Sequence, residues 1–248
     1  MSLSKPPRMP GENRLLAALP SEVKARLEPN LERVSLPFKE VLYESREVIE
    51  YVYFPINAVV SLLTIAEERT LAEVGLVGNE GMVGLSVFLG IEATPFKAIV
   101  QVPGEAMRMK ADVVKDLVNP ESPLYSLLLR YTHALMFQIS QSAACNPHHS
   151  VEERCCRWLL MTRDRVQSDQ FPITHEFLSQ MLGVRRASIT VVAGMLQKAG
   201  LIRYSRGQMT ILDCLGLEAV SCQCYRLVKQ EEDGCIPYVA HSMNEEST

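Results

Sequence analysis

The adjacent residues Arg185 and Arg186 carry the most specific chemistry in this sequence. A guanidinium group presents a planar fork of N–H donors that matches the O6 and N7 atoms of guanine in the DNA major groove. Two positive charges at the start of a helix also oppose the helix dipole, which indicates a purpose other than stability. Phosphate contacts and further readout are expected from nearby hydroxyl and basic residues. The predicted DNA-binding set is Thr174, Arg185, Arg186, Ser188, Thr190, Arg203 and Arg206.

The segment that must position these residues spans 172–212. Apolar residues repeat at helical spacing until Gly183 interrupts them, and a second helical run extends from Arg185 to Gly200. Two short apolar runs then flank Arg206 and Gly207 and predict a β-hairpin wing. Two short helices joined by a glycine turn and followed by a wing form an arrangement used to bind DNA.

The distribution of charge agrees with this prediction. Residues 147–230 contain 11 Lys/Arg and 7 Asp/Glu, whereas the rest of the 248-residue chain contains 14 and 22. A basic segment on an acidic body is typical of a polyanion-binding domain attached to a domain that does not bind DNA. The N-terminus lacks the apolar core of a signal peptide, and no run approaches the roughly 18 apolar residues of a membrane span. We therefore expect a cytoplasmic protein that does not enter membranes.

Residues 34–109 show a different pattern, with short apolar runs every 8–12 residues separated by turn residues. This spacing predicts an antiparallel sandwich or barrel, such as a double-sheet jelly roll. The expected fold class is α+β, with an N-terminal antiparallel β-roll, a long helix and a C-terminal winged helix. The expected domains are a β-roll at 12–120, a dimerisation helix at 121–146 and a winged helix-turn-helix at 147–225.

The long helix carries a seam of residues that alternate spacings of three and four, as in a coiled coil. Leu129, Met136 and Ala143 widen this stripe, so the helix needs two partners. One face would cover the β-roll and the other would meet a second copy of the chain, although packing within one chain explains the pattern equally well. Helix-turn-helix proteins bind two half-sites as symmetric dimers, which favours a homodimer. The predicted dimer seam is Tyr125, Leu128, Thr132, Leu135 and Ile139.

The ends of two segments are also predicted. Asn146-Pro147 should end the long helix, and Ser150 with Glu153 forms a capping box for the next helix, expected at 151–166. The polar tail from Lys229 to Thr248 is expected to be mobile.

Together these segments resemble the Crp/Fnr family of bacterial transcription regulators over roughly residues 12–225. The resemblance rests on ITHEFLSQMLGVRRASITVVAGMLQKAGLI and on the β-domain run GNEGMVGLSVFLG. It implies an effector-sensing β-roll, dimerisation through the long helix, operator binding by the second helix of the motif, and RNA polymerase as a partner. Arg186 matches a base-reading arginine of the family. Ala187 and Val191 replace a glutamate and a second arginine, so the standard half-site of the family is not expected.

The positions that would bind an effector depart further from the family. Cyclic-nucleotide-binding members have a glycine–glutamate pair and an arginine followed by a small hydroxyl residue. In this sequence Gly84 is followed by Leu85, and Lys97 and Ala98 replace the second pair. Lysine cannot form the bidentate fork that binds the cyclic phosphate. With Thr132 of the long helix these residues form the candidate effector pocket, and they argue against cyclic nucleotide.

Other cofactors and functions are weighed against the same residues. No cysteine precedes Cys145, which argues against an N-terminal iron–sulfur cluster, and residues 30–110 lack histidine, which argues against haem and against a cupin-type metalloenzyme. No serine elbow or phosphate-binding glycine loop is present, so we expect no enzyme activity. A small-ligand-dependent regulator with a degenerate cassette and a protein-interaction module remain as alternatives.

The cysteines and histidines are expected to play no metal-binding role. The C-terminal region contains zinc-type ligands, but their spacing is not that of a known finger, and Cys222 and Cys224 on one helix would face different ways. Ordinary buried cysteines are therefore expected, and His148-His149 are expected to be surface residues at a helix junction. The ligands considered are Cys214, Cys222, Cys224, Cys235 and His241.

Overall fold

The computed structural model describes residues 11–67 and 70–236 of the chain. Its ten strands are β1 Glu32–Leu36, β2 Val41–Tyr43, β3 Tyr51–Pro55, β4 Val59–Glu67, β5 Thr70–Val77, β6 Lys97–Val102, β7 Gly104–Lys110, β8 Gln170–Pro172, β9 Ile202–Ser205 and β10 Gln208–Ile211. Its ten α-helices are α1 Arg14–Ala17, α2 Ser21–Leu27, α3 Leu85–Phe88, α4 Ala111–Leu117, α5 Pro123–His148, α6 Val151–Val166, α7 His175–Leu182, α8 Arg186–Lys198, α9 Cys214–Val220 and α10 Cys224–Cys235.

The N-terminal strands form two antiparallel sheets, as the run spacing predicts. One sheet has the order β1-β7-β3 and the other the order β2-β6-β4-β5. Apolar side chains from both sheets, including Val52, Val60 and Val100, share one buried core with α5. Most strands follow the predicted runs, whereas β1, α3 and α4 were not predicted as separate elements. The α+β fold class is confirmed.

Helix α5 covers the β-roll, and it is two residues longer at its C-terminal end than predicted. Ser122 caps its N-terminus by accepting from the Leu124 amide, and Pro123 occupies the first turn. Pro147 does not end the helix, which continues to His148. The prediction was wrong because a proline in the last turn removes only one N–H donor, and the flanking helix tolerates this loss.

The C-terminal region begins with α6, whose bounds match the prediction. Ser150 and Glu153 form the predicted capping box, in which each side chain accepts from the backbone amide of the other residue. Strands β8, β10 and β9 form a small antiparallel sheet beside α7 and α8. In the described part of the chain, no helix combines the length and apolar character that crossing a membrane would require.

The tail is ordered further than the sequence indicates. Residues 224–235 form α10, which packs along α5, so the mobility predicted from Lys229 onward is wrong for residues 229–235. Glu232 and Ile236 are buried, and the Ile236 carbonyl accepts from the Arg14 guanidinium at 2.5 Å. Burial of an amphipathic helix face supplies the stability that the polar composition conceals. The rest of the predicted tail lies outside the described residues.

A buried ion cluster joins the roll to the C-terminal helices. The Arg165 guanidinium of α6 lies 3.0 Å from the Glu80 carboxylate of the roll and 2.6 Å from the Glu232 carboxylate of α10. Gln138 of α5 donates to Glu232 at 3.3 Å and also bonds the backbone of β5 at Leu76. A side chain at Gly78 would collide with Arg165, so glycine is required where the two elements meet.

Candidate nucleic-acid interface

Helices α7 and α8 meet through a tight turn at Gly183. Gly183 has a φ of 63°, and the Val184 amide returns to the Ser179 carbonyl at 3.0 Å. This left-handed ending turns the chain sharply and places α8 across α7. The inner face of α8 is buried against α6 and α7 through Ile189, Val192 and Leu196. The predicted helix-turn-helix is therefore present, with α8 starting at Arg186 instead of Arg185.

Helix α8 turns a continuous face to solvent. The exposed positions recur at helical spacing and therefore line one side of the helix. Their side chains are mostly uncharged beyond the first turn, so base contacts along this face would depend on shape and apolar contact. The exposed residues are Arg186, Ala187, Thr190, Val191, Gly194, Met195, Gln197 and Lys198.

The two arginines lie at the open end of α8. Arg185 is the N-cap residue, and no side chain caps the helix there. The first backbone N–H groups of α8 are therefore left without a side-chain acceptor, as in helices that bind phosphate at the N-terminus. Arg186 lies 3.8 Å from the Glu176 carboxylate, and both side chains are largely exposed.

The predicted hydroxyl residues have different surroundings. Thr174 caps α7 by accepting from the Phe177 amide at 3.1 Å, which leaves its own O–H as a donor. The Thr190 hydroxyl donates to the Arg186 carbonyl and lies 3.2 Å from Nδ1 of His175. Ser188 is half-buried in the first turn of α8. Thr174 and Ser188 fit phosphate contacts better than Thr190, whose hydroxyl is already bonded.

His175 connects the exposed face of α8 with the wing. Its ring stacks on Tyr204 with centroids 4.2 Å apart. Burial, with a smaller effect of the Arg186 charge, lowers the pKa of His175, so the ring is neutral at physiological pH. The stack fixes the wing against α7 and α8 without adding a charge beside Arg186.

The wing ends in a two-residue hairpin turn. Arg206 and Gly207 have φ values of 49° and 79°, and β9 pairs with β10 on either side. These angles are those of the turn that favours hairpins, in which the first residue tolerates the left-handed region at some cost. Arg206 is exposed at the tip, and Arg203 is exposed on β9 opposite Thr210. The wing and the start of α8 therefore both present arginine to solvent.

The structure also places the candidate effector residues. Gly84 adopts a φ of 89° before α3, which begins at Leu85. Lys97 pairs with Glu44 at 2.8 Å, and Ala98 is buried opposite Tyr43. The Thr132 hydroxyl donates to the Leu128 carbonyl of its own helix at 2.7 Å.

Tyr43 connects two of these positions. It pairs with Ala98 in the sheet, and its hydroxyl bonds the backbone of Gly84. Burial raises the pKa of this phenol. Within residues 11–67 and 70–236, no hydrogen bond or ion pair connects Lys97 or Thr132 to Gly84, so the five predicted residues are only partly brought together.

The dimer seam predicted from spacing lies mostly against the same chain. Leu128 and Leu135 are buried in the core of the β-roll, and Tyr125 packs edge-on against Phe88 with centroids 5.3 Å apart. Thr132 and Ile139 are half-buried. The apolar side chains that α5 leaves exposed are one position further on, at Leu129 and Met136.

One carboxyl group lies between the roll and the C-terminal region. Although Glu73 is half-buried as a residue, its carboxyl group is enclosed by Ser61, at 2.7 Å, and by the Trp158 indole N–H, at 3.0 Å. Burial raises the pKa of Glu73 to about 7, against the hydrogen bonds and the charges of Arg157 and Arg165. The sequence gives no signal for this group, because Ser61 and Trp158 are 12 and 85 residues away from Glu73 in the chain.

This geometry defines a winged helix-turn-helix protein with a β-roll. The family model described as "Crp-like helix-turn-helix domain" matches residues 153–220. The C-terminal domain is thus a Crp-like helix-turn-helix domain, and the chain has the fold of the Crp/Fnr transcription regulators.

Solved structures show the same architecture at low sequence identity. FixK2 from Bradyrhizobium japonicum is 13% identical, with a TM-score of 0.66 and coverage of 77% of this chain and 98% of that chain. The c-di-GMP-responsive global regulator CLP from Xanthomonas campestris is 15% identical, with a TM-score of 0.61 and coverage of 77% and 99%. A CRP/FNR-family regulator from Thermus thermophilus is 21% identical, with a TM-score of 0.60 and coverage of 77% and 98%. Among curated proteins, none matches the chain in sequence.

Proposed function

We propose that the chain is a homodimeric transcription regulator that binds a two-fold symmetric operator through α8 and the wing. The observation that carries this proposal is the exposed face of α8, which begins with two arginines and an uncapped helix start and lies beside a wing tipped by Arg206. Arginine at a helix start can bind guanine bidentately, and arginines on a wing suit phosphates.

The proposed division of labour assigns base contacts to Arg185 and Arg186. Thr174, Ser188, Arg203 and Arg206 contact phosphates. Thr190 supports the first turn of α8 through its hydrogen bond to the Arg186 carbonyl. Because Ala187 and Val191 are exposed and carry no hydrogen-bonding side chain, the operator differs from the standard site of the family.

The proposed dimer forms through α5, as helix-turn-helix regulators use symmetric pairs to read two half-sites. The exposed apolar residues Leu129 and Met136 lie seven positions apart, which places them on one side of the helix. They support a dimer seam that is shifted by one residue along α5 from the seam predicted by spacing, and that therefore lies on a different side of the helix. Burying them against a second copy removes apolar surface from water.

The β-roll is proposed to work without cyclic nucleotide. Lys97 is paired with Glu44, Leu85 has no acceptor for a ribose hydroxyl, and Tyr43, which pairs with Ala98 in the sheet, interacts with the backbone of Gly84. The effector itself has no chemical assignment. Since a regulator acts where DNA and RNA polymerase are, we also propose a cytoplasmic location and a contact with RNA polymerase, both supported only by likeness to Crp/Fnr regulators.

Selection of bound duplexes from a random library tests the proposal. The full chain should select a two-fold symmetric motif, and adding cyclic AMP, cyclic GMP or c-di-GMP should leave its affinity unchanged. A motif that emerges only with cell extract would show that another effector is required. Binding without sequence preference would contradict the proposal and favour a protein-interaction module.

A further inference from the structure

We propose that Cys145, His149, Cys222 and Cys224 form a tetrahedral zinc site that fastens the C-terminal helix to the end of α5. The three Sγ atoms and a ring nitrogen of the histidine all lie within 4.8 Å of one another. Four such donors around one point form the Cys₃His set found in structural zinc sites.

The distances agree with a single zinc ion. Zn–S bonds of about 2.3 Å at tetrahedral angles place two sulfur atoms about 3.8 Å apart, and a Zn–N bond of about 2.0 Å gives a sulfur–nitrogen separation of about 3.5 Å. Cys145 Sγ and Cys222 Sγ are 3.6 Å apart, and Cys224 Sγ lies 3.7 Å from Nδ1 of His149. Thiolates this close are poorly placed to bind separate iron atoms of a cluster.

The fold brings the ligands together from two segments distant in sequence. Cys145 lies in the last turn of α5, and His149 is the C-cap residue that follows this helix, with its amide donating to the Cys145 carbonyl at 3.1 Å. Cys222 precedes α10 and Cys224 begins it, with Gln223 as the N-cap residue. The expectation that Cys222 and Cys224 face apart on one helix is therefore wrong, because the chain turns between them.

The grouping expected from the sequence was also incomplete. Cys214 begins α9 and Cys235 lies near Glu231, so neither joins this cluster, and His241 lies outside the described residues. The two missing ligands were Cys145, which was not among the ligands considered, and His149, which was expected to be a surface residue at a helix junction. Their i, i+4 spacing was the available signal.

The surroundings of the four side chains differ from those of ordinary core cysteines. Cys145, Cys222 and Cys224 are buried and form an apolar cluster separate from the two large cores. Cys155 and Cys156, by contrast, are part of the core around α6. Metal binding, rather than packing, therefore accounts best for a small cluster composed only of cysteines.

Neighbouring groups suit thiolates. Gln141 donates from its side-chain amide to Cys224 Sγ at 3.1 Å, a contact of the kind that orients metal ligands. Three thiolates and a neutral imidazole around Zn²⁺ leave one net negative charge. Arg154 and Arg157 are close enough to Cys145 and Cys222 to interact with their charges, and they offset it.

The position of the site indicates its role. It joins the end of α5 to the turn between α9 and α10, so bound zinc would hold α10 along α5. Release of the ion would loosen this end of the molecule and lower its stability, because metal binding to the folded state stabilises that state. The proposal does not depend on DNA binding.

Metal analysis of the full chain, purified under reducing conditions without added zinc, tests the site. We expect about one zinc per chain, and Cys222→Ser should reduce this content at least tenfold. Cys214→Ser is the matched control, since Cys214 is a half-exposed cysteine outside the cluster, and it should retain zinc. Co²⁺ added to the metal-free chain should give the thiolate charge-transfer and visible bands of tetrahedral cobalt.

Folding of the variants is checked by circular dichroism, and His149→Cys, which keeps four ligands, should retain metal and the cobalt bands. The proposal would be overturned by wild-type protein that holds no zinc after reconstitution with Zn²⁺ and shows no tetrahedral cobalt spectrum. A Cys145–Cys222 disulfide in protein prepared with reductant would overturn it as well. So would equal zinc content in wild type and folded Cys222→Ser.

Discussion

Arg186 lies at the point where the proposed reading helix meets solvent. Its ion pair with Glu176, at 3.8 Å between largely exposed side chains, contributes little to stability because water screens it. The guanidinium can therefore leave this partner for a guanine edge at small cost.

Replacing Arg186 by alanine should weaken binding to the selected operator by about 1–3 kcal/mol, since one bidentate base contact is lost. Affinity for random duplexes should fall less. Fluorescence anisotropy with both duplexes measures the difference. Arg226→Ala is the matched control, because Arg226 is an exposed arginine of α10 outside the proposed interface. Equal losses on both duplexes would remove Arg186 from the base-reading set.

Glu73 carries a second residue-scale prediction, which concerns pH. Below the usual pKa of 4.5 the carboxyl is protonated in both states, so folding does not change its protonation. Between 4.5 and about 7 the folded state keeps a proton that the unfolded state has lost, and above 7 the fold must enclose the charge. The stability present at low pH is therefore lost as the pH rises through this window.

Glu73→Gln should remove this dependence. The free energy of unfolding of the variant, relative to wild type, should rise by up to about 3 kcal/mol between pH 4.5 and 8. Urea denaturation at several pH values measures it, with the exposed Glu22→Gln as control. A constant difference between variant and wild type across this range would show that Glu73 has an ordinary pKa.

At the scale of elements, α5 shows why the sequence can predict an apolar seam on a helix without predicting which side of the helix faces the second chain. Apolar residues occur nearly all round this helix, so the spacing that selects Leu128 and Leu135 fits Leu129 and Met136 equally well. Packing against the roll decides between them, because the curved sheet buries the first pair. A shift of one residue rotates the proposed seam by about a quarter of a turn.

Met136→Asp should convert the dimer to monomer without unfolding the chain. A charge at the centre of the proposed interface opposes the same charge on a second copy, while the side chain is already 62% exposed in one chain. Sedimentation velocity measures the mass. Leu215→Asp, at an exposed leucine of α9, is the control and should remain dimeric. A dimeric Met136→Asp protein would place the interface elsewhere.

Local patterns were sufficient for elements whose ends are marked by short-range chemistry. The capping box of α6, the glycine turn after α7 and the hairpin at Arg206 all depend on residues within a few positions of one another. Helix α10 could not be predicted in this way. Its stability depends on burial against α5 and on Glu232 meeting Arg165, which is 67 residues away.

For the candidate DNA interface, the sequence was enough to predict exposed arginines, because a helix start and a hairpin tip are exposed wherever the domain lies. It was not enough to predict how the effector residues or the cysteines are grouped, since both groupings depend on which segments meet. Tyr43 between Gly84 and Ala98 and Cys145 beside Cys222 are contacts of tertiary structure that no spacing rule contains.

At the scale of the whole molecule, the winged helix is docked on the roll of its own chain. Phe177 of α7 lies 5.6 Å from Phe38 between ring centroids, and Trp158 of α6 bonds Glu73 of β5. The ion cluster of Arg165, Glu80 and Glu232 lies behind these contacts. The roll and α6 are therefore joined by buried polar contacts as well as by apolar packing.

Arg165→Met should lower the free energy of unfolding by about 3–5 kcal/mol, because two buried carboxylates would lose their counter-ion. Adding Glu80→Gln and Glu232→Gln should recover part of this loss. Urea denaturation measures the free energy of unfolding of wild type, of Arg165→Met and of the triple variant. Arg226→Met, at a surface ion pair, is the control and should change this free energy by less than about 0.5 kcal/mol. An Arg165→Met protein as stable as this control would show that the cluster does not stabilise the chain.

The central claim is that two chains together bind one symmetric site through their α8 helices. The most direct measurement is the mass of the complex formed with the selected operator, compared with a duplex that keeps only one half-site. We expect two chains per full operator and at least a tenfold loss of affinity when one half-site is scrambled. One chain per duplex, with equal affinity for full and half operators, would contradict it.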